Sequence, residues 1–259
     1  MKAVKRGYIL LKVYEVYHFQ DSIKHLFKES IDTFLKYKQE SSDWSRWCDN
    51  DENNRDYVEA YYRNEGILLD PILRSCSDLG SDSPSGVYQL TLTSGESFKV
   101  YCDMRAVDGP WTVIQNRYDG SEYFYREWDE YKKGFGDLNG EFWIGNDIIH
   151  TLTQTASVLR IELEGFPYKK GFAEYSMFKV TDESDGYKMT LTASTRNVSR
   201  DAMLYHSGKK FSAKDKGANV NCAISSKSGW WYGKCHQANL NGKYTKNYWA
   251  SNSETLTTW

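Results

Sequence analysis

With 259 residues and a formal net charge of −2, the chain has room for one large domain, or one domain with an appendage, and its core needs no metal to form. Lysines and arginines are scattered rather than striped, so there is no electrostatic footprint for DNA or RNA and nucleic acid is a poor partner. The unusual quantity is aromatic content: nine Trp, twenty Tyr and eleven Phe against four Pro suit a β-rich core and a binding surface alike.

The first nineteen residues start basic, but the apolar run Tyr8-Ile9-Leu10-Leu11 is interrupted by Lys12 and Glu15, and no small-residue cleavage site follows. The segment does not read as a leader peptide, and an incomplete N-terminus would reconcile it with secretion. No apolar stretch is long enough for a transmembrane segment. Phe19, Ile23, Leu26, Phe27, Ile31, Phe34 and Leu35 recur at steps of three and four, which predicts an amphipathic helix over residues 18–40. That helix either packs on its own domain or pairs with copies of itself in a homo-oligomer. Residues 41–56 are polar and acidic, as in a linker, and carry Cys48, an accessible place for an interchain disulfide. Residues 1–74 are therefore expected to form an N-terminal helical and linker region, and residues 75–259 the main domain.

From Ser75 onward strand signals dominate. Gly86–Leu92 and Ser97–Tyr101 alternate around Ser94-Gly95 as a hairpin. Trp111–Ile114 suits a buried strand, Leu159–Leu163 alternates, and Tyr175–Val180 and Tyr187–Leu191 flank Asp185-Gly186. The stretch Phe142–His150, with Asn146 as cap, starts a short helix through Leu152. After Thr195 periodicity fades into loops.

Five cysteines are present. Gaps of 26 and 13 residues favour the local pairs Cys76–Cys102 and Cys222–Cys235, with Cys48 left over, although four cysteines allow three connectivities. Zinc is the competing reading, and no Cys-x-x-Cys or Cys-x-x-His spacing supports it. Paired cysteines belong in an oxidising, extracellular compartment.

No catalytic motif is present: there is no Gly-x-Ser-x-Gly, Walker loop, His-Glu-x-x-His or dinucleotide fingerprint. The carboxylates at Glu162/Glu164 and Asp182/Glu183/Asp185 read as solvated charge, and His150 and His206 show no evident partners, so an enzyme is the losing hypothesis. His236 differs. It follows Cys235 directly, with Trp230, Trp231 and Tyr232 close by, and reads equally as a pocket histidine for a neutral polar ligand or as a structural one. Residues 211–219 hint at a cation loop, but Asp215 is its only carboxylate, with Asn219 as a neutral helper and Lys214 and Lys216 opposing, which makes a weak Ca²⁺ site. Asn197-Val198-Ser199 is a glycosylation acceptor sequence.

Taken together, these motifs resemble the fibrinogen-related domain of ficolins, tachylectins and angiopoietins. Gly86-Val87-Tyr88, Tyr101-Cys102-Asp103-Met104, Trp111 to Gln115, Asp119-Gly120-Ser121, Tyr131 to Gly136, Gly140 to Asn146 and Asn221 to Tyr244 fall in family order. The resemblance implies an α+β fold with a twisted antiparallel sheet and a loop-rich binding subdomain. It implies the disulfides Cys76–Cys102 and Cys222–Cys235, a Ca²⁺ loop, and a pocket for acetylated glycans. The pocket would be built near the second disulfide from Ala223, Tyr232 and His236, with a wall from Tyr248 or Trp249 and Ala250. Three departures stand against this pattern: Gly217 replaces a family aspartate in a shortened loop, the wall residues align loosely, and the chain stops before the family's last strand. The last departure predicts neighbouring strands without ladder partners. The expected function is a secreted, lectin-like pattern-recognition protein of innate immunity, the alternative being a signalling or adhesion ligand for a protein receptor.

Overall fold

A computed structural model describes residues 8–15, 73–92, 95–106, 109–155, 157–165, 169–196 and 201–244. The chain divides into two units, Met1–Val16 with Leu73–Trp259 as the first and Tyr17–Ile72 as the second. The expected helix over 18–40, the linker with Cys48, Asn197, and the wall residues Tyr248, Trp249 and Ala250 lie outside the described residues.

The first unit is an α+β domain organised by an antiparallel sheet. In chain order its strands are β1 (Tyr8–Glu15), β2 (Gly86–Thr91), β3 (Ser97–Asp103), β4 (Trp111–Arg117), β5 (Phe135–Gly136), β6 (Phe142–Trp143), β7 (Ser157–Gly165), β8 (Lys169–Val180) and β9 (Met189–Arg196). The helices are short: α1 (Trp128–Lys133), α2 (Asn146–Leu152) and α3 (Val220–Ser226). The strand order is β2-β3-β4-β1-β7-β8-β9, and β6 bridges β4 to β5. Among the described residues, no helix is long and apolar enough to cross a membrane.

The largest correction concerns the chain's opening. Tyr8–Glu15 belongs to the domain's sheet rather than to a separate N-terminal region. It pairs with β7 over its whole length, from Tyr8 opposite Glu164 to Glu15 opposite Ser157. On its other side it pairs with β4, from Ile9 opposite Arg117 to Val13 opposite Thr112, with a bulge between Leu11 and Lys12. The apolar run is short and β-prone, as suits an interior strand flanked on both edges, and its Leu11 is buried. The expectation of strands left without partners is corrected here, since β4 and β7 both gain their ladder from β1.

The hairpin of β2 and β3 runs from Gly86 opposite Cys102 to Thr91 opposite Ser97. The Cys76–Cys102 disulfide ties the short helical turn Cys76–Asp78 to it. At α2 the cap is Gly145, with φ +111, and Asn146 is the first helical residue; its Oδ1 instead accepts the indole N–H of Trp143. Asn146 is thus spent on the core rather than on the helix end.

The aromatic excess goes largely inward. Trp143, Trp230, Trp231, Tyr131 and Phe211 are all buried, with ring centroids 5.1 Å apart for Tyr131–Phe211 and for Trp230–Trp231. The first contact is tilted and the second edge-on, and together they fasten the loop-rich end of the domain to the sheet.

Candidate functional site

The second disulfide, Cys222–Cys235, joins α3 to the residue before His236. Helix α3 ends at Lys227, which adopts the left-handed conformation at φ +53 and turns the chain inward. The next stretch of chain is buried: Ser228, Trp230, Trp231 and Tyr232 are at most 2 % exposed. Gly229 is required there, because a Cβ would lie 2.5 Å from the ring of Tyr131. The Gly229 N–H donates to the Tyr131 hydroxyl, and the Trp231 indole N–H donates to the Tyr187 carbonyl. Trp230 exchanges both backbone hydrogen bonds with Ser212. The paired tryptophans are therefore core, not the walls of a pocket.

The Asn239–Gly242 turn is equally interior, for Asn239, Leu240 and Asn241 are fully buried. Its polar groups are paired. Asn239 accepts from Ser228, Asn241 donates to the Gly229 carbonyl, and Gln115 on β4 donates to both the Leu240 carbonyl and Asn241 Oδ1. The Arg117 guanidinium, also on β4, reaches the carbonyls of Leu240 and Gly242 and stacks on Phe124 at 4.0 Å. Burial lowers its pKa to about 10, against the pull of Glu141, and it remains a cation at neutral pH. The turn is a polar plug bonded to the central sheet.

Sequence reasoning passed over His206. It is buried, its Nδ1–H donates to the Trp231 carbonyl at 2.7 Å, and its Nε2 accepts the amides of Gln237 and Ala238 at 3.2 and 2.9 Å. Those partners specify the neutral ring with the proton on Nδ1. Burial lowers its pKa to about 4, helped by the neighbouring His236 and Lys209. No local pattern announces this histidine, because its partners lie 25 to 32 residues away.

The side chains expected in the pocket have distinct fates. Ala223 and Tyr232 are fully buried. Burial pushes the Tyr232 phenol up to about 12, so it stays protonated, within 2.6 Å of the Ser228 hydroxyl. His236 is partly exposed, with Nδ1 3.3 Å from the Ser226 hydroxyl and its ring 6.0 Å from that of Tyr232. Cys235, just before it, is held at φ +51, a conformation that costs energy in a residue with a Cβ.

In the neighbouring 211–219 loop, the Asp215 carboxylate accepts the backbone N–H of Trp128 at the start of α1. The Asn219 side-chain amide donates to the Tyr232 carbonyl. Gly217 sits at φ +121 in a bridge with Ser212, and a Cβ there would lie 2.6 Å from Ser212 Cα. A side chain, aspartate included, has no room at that position. Lys216 extends over the Trp128 ring and pairs with Glu183. Among the described residues, no group of three His, Cys, Asp or Glu side chains could hold a metal ion. The donor set does not fit Ca²⁺, which wants several carboxylates.

Of the carboxylates read from sequence as solvated charge, Glu162, Glu183 and Asp185 are ion-paired. Lys132, Lys216 and the Trp128 indole hold Glu183 down at about 2, and Lys188 and Lys210 do the same for Asp185. Glu162 is paired with Arg160. Neither Glu183 nor Asp185 is poised as a general acid.

Beside the disulfide loop lies a cleft of about 490 Å³, whose lining includes Tyr205, Lys209, Lys210, Asn219, Gly233 and Lys234. Sequence reasoning did not single out the tyrosine or the lysines, which come from two separate stretches. His236 is not part of this lining.

Residues 72–259 match the family described as fibrinogen beta and gamma chains, C-terminal globular domain. Ryncolin-4 of Cerberus rynchops is 43 % identical over 180 residues, covering 67 % of this chain and 52 % of its own. Ficolin-3 of Homo sapiens is 40 % identical over 177 residues, 66 % of this chain and 59 % of its own. Angiopoietin-related protein 7 of Mus musculus is 44 % identical over 167 residues, 62 % of this chain and 49 % of its own. The chain thus spans about half to three-fifths of the length of these curated relatives. Among solved structures, the fibrinogen-like globe domain of human ANGPTL2 has a TM-score of 0.65 at 34 % identity, covering 71 % of this chain and 94 % of that one.

Proposed function

Because the chain belongs to the fibrinogen C-terminal domain family, we propose that it is a secreted lectin-like recognition protein that binds acetylated sugars at His236. It is not an enzyme; fibrinogen-related domains bind rather than catalyse. The observation that carries the reading is the mounting of His236. A disulfide precedes it, the Ser226 hydroxyl lies at its Nδ1, and the Tyr232 ring flanks it above a sealed core. An imidazole so held, and partly exposed, offers one nitrogen to a carbonyl or hydroxyl of a ligand. Similarity to Ficolin-3 and Ryncolin-4 supports a lectin-like role in pattern recognition. The two disulfides support an extracellular place for the chain.

Calcium has no part in this reading, since Asp215 is the loop's only carboxylate and Gly217 admits no other. Assembly into a homo-oligomer through Cys48 belongs to the same proposal, and a monomer on a non-reducing gel would remove it. Likeness to the globe domain of ANGPTL2 and to Angiopoietin-related protein 7 favours the second reading, a ligand for a protein receptor.

Binding of the full chain to N-acetylglucosamine and to glucosamine on a glycan array separates the two. The lectin reading expects acetyl-dependent binding that EDTA does not affect and that His236→Ala lowers about ten-fold or more, the scale of one lost hydrogen bond in a desolvated site. Equal indifference to both sugars would overturn it and leave the receptor reading.

A further inference from the structure

The cleft beside the disulfide loop is chemically unlike the His236 site. Three of its lining residues are lysines, Lys209, Lys210 and Lys234, and no carboxylate lines it. Lys210 is committed to Asp185 at 2.9 Å. Lys209 and Lys234 have no carboxylate partner among the described residues, although ten ion pairs form within that set.

The donors converge. The Tyr205 hydroxyl oxygen accepts the backbone N–H of Lys234 at 2.7 Å, which leaves its own proton to donate. Gly233 lets the other arm approach: a Cβ there would lie 2.9 Å from the Tyr205 hydroxyl and 3.1 Å from Lys209 Cε. The end of the Lys209 side chain and the Tyr205 hydroxyl therefore meet over one glycine, next to the residue that carries the second free ammonium. The backbone beneath is fixed, for Lys234 precedes the disulfide-bonded Cys235, and Lys209 and Tyr205 bracket the buried His206.

We propose that this cleft is an anion subsite, in which Lys209, Lys234 and the Tyr205 hydroxyl take a sulfate or carboxylate group carried by a saccharide. Two ammonium groups and a phenol donor with no competing acid supply charge-assisted hydrogen bonds that a neutral sugar cannot repay. The saccharide half of the statement rests on the lectin reading, whereas the anion half does not.

Binding of the full-length protein to immobilised N-acetylglucosamine 6-sulfate, glucuronic acid and uncharged N-acetylglucosamine tests it. At least one acidic sugar is expected to bind more tightly than the uncharged one. The advantage should shrink as salt rises, and free inorganic sulfate should compete. The double variant Lys209→Ala/Lys234→Ala should lose about ten-fold or more of the affinity for the acidic sugar, with its melting temperature held. The response to sulfate against carboxylate identifies the group taken. An equal loss in the charge-matched control Lys99→Ala/Lys179→Ala, two exposed lysines on β3 and β8, would overturn the subsite in favour of diffuse attraction. So would acidic sugars bound no better than N-acetylglucosamine. A protein that binds the acidic sugars through these lysines but ignores N-acetylglucosamine would sink the acetyl-lectin reading and leave the subsite standing.

Discussion

Residues 228–242 and residues 211–219 lie side by side, joined where Ser212 pairs with Trp230, yet they are held in place by different means. In the first, buried hydrogen bonds hold the chain, although the Trp230 indole N–H is left without a partner: His206 clamps Trp231 to Gln237 and Ala238, and Gln115 and Arg117 on the central sheet seize the Asn239–Gly242 turn. In the second, most side chains from Lys214 to Asn219 are exposed or half-exposed. That loop is held by its backbone, by the Asp215 contact with Trp128, and by a glycine no other residue could replace. A satisfied buried network rigidifies a binding surface from beneath. A loop kept by backbone geometry can lose its charged side chains without losing its shape. The eroded cation loop and the intact floor thus coexist because they do not share the same support.

The largest effect separating the two regions is expected from Trp231→Ala. It empties a fully enclosed indole site and should cost about 3–5 kcal/mol, read as a drop in the urea midpoint. A loss below about 1 kcal/mol, the level of a surface change, would mean that the floor is less tightly packed than its burial implies. Next comes pH. His206 has a folded pKa of about 4 against an ordinary value of 6.5, so the unfolded chain takes up the proton first. Stability from this group is complete above pH 6.5 and is lost as pH falls towards 4, by about 3 kcal/mol over the window. His206→Gln should flatten that part of the stability–pH curve, and an unchanged slope would show that other groups carry it. The smallest effect belongs to the loop. Gly217→Asp restores the family carboxylate in sequence but forces a side chain into a left-handed position against Ser212. It should cost about 1–3 kcal/mol and leave the melting temperature indifferent to Ca²⁺ or EDTA. Stabilisation by Ca²⁺ in that variant would show that the bridge between Ser212 and Gly217 yields to a cation.

How much could be read without coordinates depended on how local the cause was. The β2–β3 hairpin and both disulfides were legible, because alternating strands and cysteines 26 and 13 residues apart act on their own neighbourhood. Asn146 misled because a good capping residue beside a helix start proved more valuable to Trp143, while Gly145 took the cap. The burial of Trp230 and Trp231 was not legible, since a sequence marks an aromatic as large but not which way it faces. The burial of Asn239 and Asn241 was not legible either, since only the approach of Gln115 and Ser228 makes it tolerable.

What the amino-acid order determined by itself was the family, the disulfide frame, most strand positions and the identity of the loop that carries His236. These rest on near-neighbour chemistry and on motif order. Tertiary structure alone decided that Tyr8–Glu15 closes the sheet between β4 and β7, and that the buried His206 clamps the floor. It alone gathered Tyr205, Lys209 and Lys234 around one cleft. Each of these depends on contacts across long stretches of chain, whose outcome is set by which buried polar groups and strand edges find partners once the core has closed.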